Sequence, residues 1–220
     1  MIDRYGILDT LPQGEDRKMS SENERVETVA NDIRRAVGCR TDNEGQYGQR
    51  HCDAIAALNE LEKRCAENWA KDNNCWIPFD EICNLGIPGP SGSESDTYIS
   101  KEGYVFKVNN LLHSQDSIML VLTKTILYNQ LFPDSAYTFV GFTGFEGRSV
   151  YPVLKQDYIS NGHPATQNEI DCYMAACGFE KLCDGRYAND KYELWDVFPK
   201  NVLKDESGDI FVIDLEISMK

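Results

Sequence analysis

Apolar positions along this chain change their spacing twice, and the two changes divide the chain into three zones. In the first zone, residues 1–85, they recur every three or four residues, which is the period of a helix with one buried face. The clearest such series is Ile55, Leu58, Leu61, Cys65 and Trp69. Ser21 begins an earlier predicted helix that stops at Gly38, and residues 79–85 make a last helical turn. We therefore predict a helical N-terminal extension.

The second zone, residues 86–158, favours strands around one strongly apolar segment. It opens on the densest run of Gly, Pro and Ser in the chain, which is typical of a loop. The predicted elements are strands at residues 96–99 and 104–108, a helix at residues 117–131, and strands at residues 137–142 and 149–158.

The third zone, residues 159–220, combines one helix with short strands. Thr166 followed by Glu169 predicts a capping box at the start of a helix that Gly178 ends. Strands are predicted at residues 192–195, 202–204 and 209–214, with a hairpin turn at residues 205–208. The three zones together predict an α+β fold.

Charge and cysteine usage narrow the classes of function. With 22 basic and 36 acidic residues the net charge is −14, which repels phosphate backbones and anionic lipid, so neither nucleic acid nor a membrane is an expected partner. The N-terminus lacks an apolar signal core, and we expect a cytoplasmic protein with reduced thiols. No two of the eight cysteines form a C-x-x-C pair, so no zinc site is expected. Cys65, Cys172 and Cys177 are expected on buried helical faces.

The most informative polar residues lie at the ends of the short strands of the third zone. Asp196 and Asp214 each end an apolar strand, and Asn201 precedes a third. An amide oxygen and a carboxylate brought together by a hairpin are hard ligands suited to Mg²⁺ held with substrate phosphates. Asp196 would then accept a hydroxyl proton or orient a nucleophile. The alternative is structural: Asp196 opens a turn, Asn201 caps it, and Asp214 ends a strand.

This segment resembles the catalytic and metal-binding segment of protein kinases and aminoglycoside phosphotransferases. The match is Asp-x-x-Pro-x-Asn at residues 196–201, then a hairpin and an apolar strand that ends in Asp214. The resemblance implies that Asp196 is catalytic and that Asn201 and Asp214 bind metal. The sequence departs from the kinase pattern at Leu194-Trp195, where kinases have His-Arg, at Phe198, where protein kinases carry Lys, and at Leu215-Glu216, where they have Phe-Gly.

Upstream motifs follow in the order of a kinase N-lobe. The segment Gly92-Ser93-Glu94-Ser95 resembles the loop that covers the phosphates, and Lys107 resembles the strand-borne lysine that contacts them. By position, Gln156, Asp157 and Tyr158 match the hinge that binds the adenine edge. The alternatives are that residues 92–95 form a loop with no binding role and that Lys107 is an ordinary solvated lysine on a strand. Since residues 117–133 contain no acidic residue, the candidates to pair with Lys107 in place of the usual helix glutamate are Asp116 or another group elsewhere, such as Asp214.

Residues 50–216 are similar, nearly end to end, to the small kinase-like domain of bacterial and phage polyvalent proteins. The segments that carry this resemblance include Gly92-Ser-Glu, Val105-Phe-Lys, Leu127-Tyr-Asn-Gln-Leu-Phe-Pro and Asp196 to Asn201. It implies a bilobal protein-kinase-like fold, with the N-lobe at residues 86–158 and a minimal, truncated C-lobe at residues 159–220. It also implies an ATP-dependent phosphotransferase that uses Mg²⁺ or Mn²⁺ and is encoded on mobile elements.

Three functions remain open at this point. The first is phosphoryl transfer to a hydroxyl acceptor; because the chain ends six residues after Asp214, that acceptor is not expected to be a peptide docked in the ordinary way. The second is a pseudokinase that binds nucleotide without turnover, and the third is an interaction module built on residues 1–85. Retention of Lys107, Asp196, Asn201 and Asp214 together favours the first.

Overall fold

The computed structural model describes residues 21–41 and 51–220, so residues 1–20 and 42–50 of the predicted extension lie outside the described residues. Two helices come first, α1 (Ser21–Thr41) and α2 (His51–Asp72). The prediction that α1 stops at Gly38 is wrong, because Gly38 lies inside the helix at an exposed position, where a glycine is tolerated at a cost of about 1 kcal/mol.

The described chain divides into two compact units. One contains the residues up to 126 and residues 137–156, and the other contains residues 127–136 and 157–220. Helix α3 (Ile118–Leu131) therefore contributes to the first unit up to Ile126 and to the second from Leu127. None of the described helices is both long and apolar enough to cross a membrane.

A six-stranded mixed sheet forms the centre of the first unit. In chain order its strands are β1 (Trp76–Pro78), β2 (Ile87–Pro88), β3 (Ser95–Ile99), β4 (Tyr104–Asn109), β5 (Thr138–Phe145) and β6 (Ser149–Asp157). They lie in the order β1-β5-β6-β4-β3-β2. The hairpins β3–β4 and β5–β6 confirm the strands expected from alternation, whereas β1, which pairs in parallel with β5, was not predicted.

Aromatic and apolar packing connects the helices to this sheet. Trp69 of α2 meets Phe139 and Phe142 of β5 edge to face, with ring centroids 6.0 and 6.4 Å apart.

At the start of α3 the fully buried carboxylate of Glu62 accepts hydrogen bonds from Ser117 Oγ at 2.7 Å and from the Met119 amide at 3.2 Å. A buried carboxylate from α2 thus satisfies donors at the N-terminus of α3.

The second unit contains two small sheets and helix α4 (Gln167–Ala176). A three-stranded sheet has the order β12-β11-β7, formed by β7 (His163–Pro164), β11 (Val202–Lys204) and β12 (Ile210–Val212). A four-stranded sheet has the order β13-β10-β9-β8, formed by β8 (Glu180–Cys183), β9 (Arg186–Ala188), β10 (Tyr192–Trp195) and β13 (Glu216–Met219).

Helix α4 begins at the predicted capping box but buries a different face from the one expected for its cysteines. The Thr166 hydroxyl accepts from the Glu169 amide, and the Glu169 carboxylate accepts from the Thr166 amide. The buried residues are Ile170 and Met174, one turn apart, which puts Cys172 on the opposite side of the helix. Cys172 and Cys177 are exposed, so their predicted burial is wrong, whereas Cys65 is buried as predicted.

Candidate functional site

Asp196 lies directly after β10 in a backbone conformation that few residues adopt. Its φ is +59°, in the left-handed region where aspartate and asparagine are tolerated better than other side chains. The Asp196 carbonyl accepts from the Phe198 amide at 3.0 Å, and the Val197 amide donates to the Gly185 carbonyl at 3.2 Å. The chain therefore turns sharply at Asp196 and enters a short 3-10 helix at Pro199–Asn201.

Asn201 holds Asp196 through a single side-chain nitrogen. Its Nδ2 donates to the Asp196 carbonyl oxygen and to the Asp196 Oδ2, both at 2.8 Å. Because both partners are acceptors only, the nitrogen of the amide must face them, which leaves the amide oxygen Oδ1 for another partner. No residue of the described ranges donates to Oδ1. The side chain is 8% exposed, so the amide is fixed by its surroundings.

The hairpin of β11 and β12 brings the chain near Asp214 back to Asn201. Val202 pairs with Val212, and the Ile213 amide donates to the Asn201 carbonyl at 2.9 Å. Asp214 is the next residue and is exposed. The predicted convergence of these two positions is thus seen at the backbone. Within residues 21–41 and 51–220, no three His, Cys, Asp or Glu side chains group together as a metal site built from protein alone would need.

Helix α4 and the residues before it anchor this hairpin. The Ala165 amide donates to the Val202 carbonyl at 2.9 Å, and Lys204 Nζ donates to Glu169 Oε1 at 2.6 Å. The hydrogen bond from Lys204, together with those from Thr166, lowers the pKa of Glu169 to about 2. The strand that follows Asn201 is therefore connected to the capping box of α4.

Lys107 lies on β4, directly opposite Thr97 of β3. Its ammonium donates to the Tyr137 hydroxyl at 2.6 Å and lies 4.9 Å from the centre of that ring. Asp116, one of the two partners proposed for Lys107, instead accepts from Lys63 at 2.7 Å. That prediction is wrong because α2 presents a nearer lysine, which the local pattern around Asp116 could not reveal.

The loop at residues 92–95 is a tight turn between β2 and β3. The Gly92 amide donates to the Ser95 carbonyl at 3.1 Å. Asn110 holds the turn from the end of β4, since its amide donates to the Glu94 carbonyl and its Nδ2 to the Ser93 carbonyl, both at 2.8 Å. A Cβ at Gly92 would meet nothing within 4 Å, so the space beside this residue is open.

The residues expected at the hinge lie where β6 ends. Gln156 is buried, whereas Asp157 and Tyr158 are exposed. The division between the two compact units falls between Gln156 and Asp157.

The chain is similar to a known protein family over most of its length. The family model for the serine/threonine/tyrosine kinase found in polyvalent proteins matches residues 59–220. The chain belongs to this kinase family. The match covers both compact units from the middle of α2 onward, and it confirms the resemblance and the kinase-like α+β fold. No curated protein sequence matches the chain.

As a member of this family, the chain is a kinase-like phosphotransferase domain. Three residues that contact either the Asp-x-x-Pro-x-Asn loop or Lys107 were not predicted from the sequence. Lys200 Nζ donates to Asp196 Oδ2 at 2.9 Å. Gly185 has a φ of +72° and lies under the Phe198 ring, where a Cβ would come within 2.3 Å of a ring carbon. Tyr137 is the third. The spacing of four residues between Asp196 and Lys200 is a signal that could have been used, whereas nothing local marks Gly185 or Tyr137.

Proposed function

We propose that this kinase domain transfers the γ-phosphoryl group of ATP to a hydroxyl acceptor. The observation that best supports the proposal is the Asp196 loop, where a nearly buried amide nitrogen orients an aspartate within a chain of a kinase family. In the proposed reaction the acceptor oxygen bonds to the γ-phosphorus and the bond from that phosphorus to the bridging oxygen breaks. ADP leaves, and the acceptor proton goes to the Asp196 carboxylate.

The phosphates would be bound by groups of the first unit. In this proposal Lys107 contacts the α- and β-phosphates, and the turn at residues 92–95 covers them through the backbone amides of Ser93, Glu94 and Ser95, because an ammonium and a turn of small residues suit phosphate oxygens. Gln156, Asp157 and Tyr158 would bind the adenine edge. Positive groups are needed here, since the chain as a whole carries a net charge of −14.

The donor set around Asn201 fits Mg²⁺ or Mn²⁺. With Nδ2 engaged by Asp196, the amide of Asn201 has an oxygen left to offer, and Asp214 adds a carboxylate, so both donors are hard oxygens. Two protein donors agree with an ion that takes its remaining ligands from phosphates and water. When bound, such an ion would neutralise charge on the nucleotide.

Thermal unfolding with ATP, with and without Mg²⁺, tests this proposal, and ADP formation is measured in parallel. ATP at about 100 times its Kd should stabilise the fold by about 2.7 kcal/mol, which corresponds to a rise in Tm of about 5–10 °C for a chain of this size. The rise should require the metal and should disappear in Asp214→Asn, and so should ADP formation. Asp209→Asn is the matched control, since Asp209 makes only backbone contacts in the same hairpin.

The outcomes separate the candidate functions. A metal-dependent rise with ADP formation supports the phosphotransferase. A rise without metal and without ADP formation supports a pseudokinase, the candidate favoured by the lack of any acidic residue in α3. No rise in Tm means that nucleotide binding was wrongly proposed and that the domain is an interaction module.

A further inference from the structure

The two oxygens of the Asp196 carboxylate have different surroundings. Oδ2 accepts from Lys200 Nζ at 2.9 Å and from Asn201 Nδ2 at 2.8 Å. Oδ1 accepts from no residue of the described part of the chain. Two donors on one oxygen fix the rotation of the carboxylate, and they leave the other oxygen available to a ligand.

The local backbone explains why Lys200 reaches this carboxylate. The left-handed Asp196 turns the chain, and Pro199 starts a 3-10 helix that returns the fourth residue after Asp196 to its side. Phe198, where protein kinases carry a lysine, packs over Gly185 and offers no charge. The cation beside Asp196 is therefore Lys200, two positions after the one at which protein kinases carry a lysine.

We propose that Lys200 is a positioning residue for the phosphoryl transfer, an inference that rests on the proposed function. Together with Asn201 it holds Oδ2, so that Oδ1 of Asp196 is the oxygen that receives the acceptor proton. Loss of Lys200 would leave Oδ2 with the hydrogen bond from Asn201 alone, so the carboxylate would be less firmly oriented, and a poorly oriented base slows the chemical step more than it weakens ATP binding. The Lys200 side chain is 66% exposed, and an ion pair this open contributes little to folding.

Steady-state kinetics of Lys200→Met tests this role. We expect kcat to fall by about tenfold or more while KM for ATP changes by less than about threefold. Lys200→Arg should restore at least about a third of wild-type kcat, because a guanidinium also donates to Oδ2. Lys191→Met removes an exposed lysine of the same unit that makes only backbone hydrogen bonds, and it should leave kcat and Tm unchanged.

A double-mutant comparison separates positioning from a structural effect. If Lys200 acts through Asp196, Lys200→Met should lower the residual turnover of Asp196→Asn by less than about threefold. An equal fall in both backgrounds would overturn the proposal, and so would a Lys200→Met variant with wild-type kcat or a Lys200→Arg variant that rescues nothing. If the wild-type protein forms no ADP, the proposed function itself is wrong. If the wild type is active and Lys200→Met has the same kcat, only the proposed role of Lys200 is wrong.

Discussion

Glu62 offers the sharpest test of how this fold is held together, because its carboxylate is completely buried yet ionisable. Ser117 Oγ and the Met119 amide both donate to Oε2, and Ser117 Oγ also accepts from the Leu120 amide at 3.2 Å. Glu62→Ala would leave the buried Ser117 hydroxyl and Met119 amide without this acceptor, at about 1–3 kcal/mol each, so it should lower the free energy of unfolding by about 2–6 kcal/mol. That is a large fraction of the usual 5–15 kcal/mol total.

Urea unfolding followed by far-UV circular dichroism measures this loss. Glu62→Gln keeps an accepting oxygen of the same reach, so we expect a smaller loss of about 1–2 kcal/mol. Glu60→Ala is the control on the same helix, because the Glu60 side chain is 60% exposed and its ion pair with Lys63 should contribute less than about 1 kcal/mol. If Glu62→Ala and Glu60→Ala unfold at the same urea concentration, the buried carboxylate does not anchor α3.

Two further predictions concern the second unit. Gly185→Ala should lower the free energy of unfolding by about 1–3 kcal/mol, because the φ of Gly185 is +72° and the new Cβ would overlap the Phe198 ring. Gly178→Ala is the control for the backbone conformation alone, because Gly178 has a φ of +82° and open space around it. Lys204 helps to lower the pKa of Glu169 from 4.5 to about 2, so the stabilisation is present above pH 4.5 and is lost as the pH falls towards 2. Lys204→Met should flatten the pH dependence of unfolding in that window.

Thermal unfolding decides both predictions. Equal Tm values for Gly185→Ala and Gly178→Ala would mean that Phe198 moves away at no cost. If Lys204→Met shows the same slope of stability against pH as the wild type, the hydrogen bonds from Thr166 alone are sufficient to lower the pKa of Glu169.

Local signals in the sequence were sufficient to predict the elements whose apolar spacing or turn residues are distinctive. The apolar segment before Pro133 was predicted as a helix at residues 117–131, and the helix runs over Ile118–Leu131. The predicted hairpin turn at residues 205–208 connects β11 and β12. Strands β8 and β9 were missed because every residue of β8 is exposed and β9 is only three residues long, so neither displays an alternation of two. Strand β1 was missed because its partner β5 lies far along the chain.

The sequence by itself determined which side chains are available to the candidate site, because Asp196, Pro199 and Asn201 lie within six residues and their order is legible in one dimension. The contacts that each charged group makes were decided by the three-dimensional structure, through the local backbone for Asp196 and through tertiary packing for Asp116. The left-handed backbone at Asp196 puts Lys200 and Asn201 on one carboxylate oxygen, and Asp116 finds Lys63 on a distant helix. Periodicity and turn chemistry act over a few residues, whereas the partner of a charged group depends on which elements pack beside it.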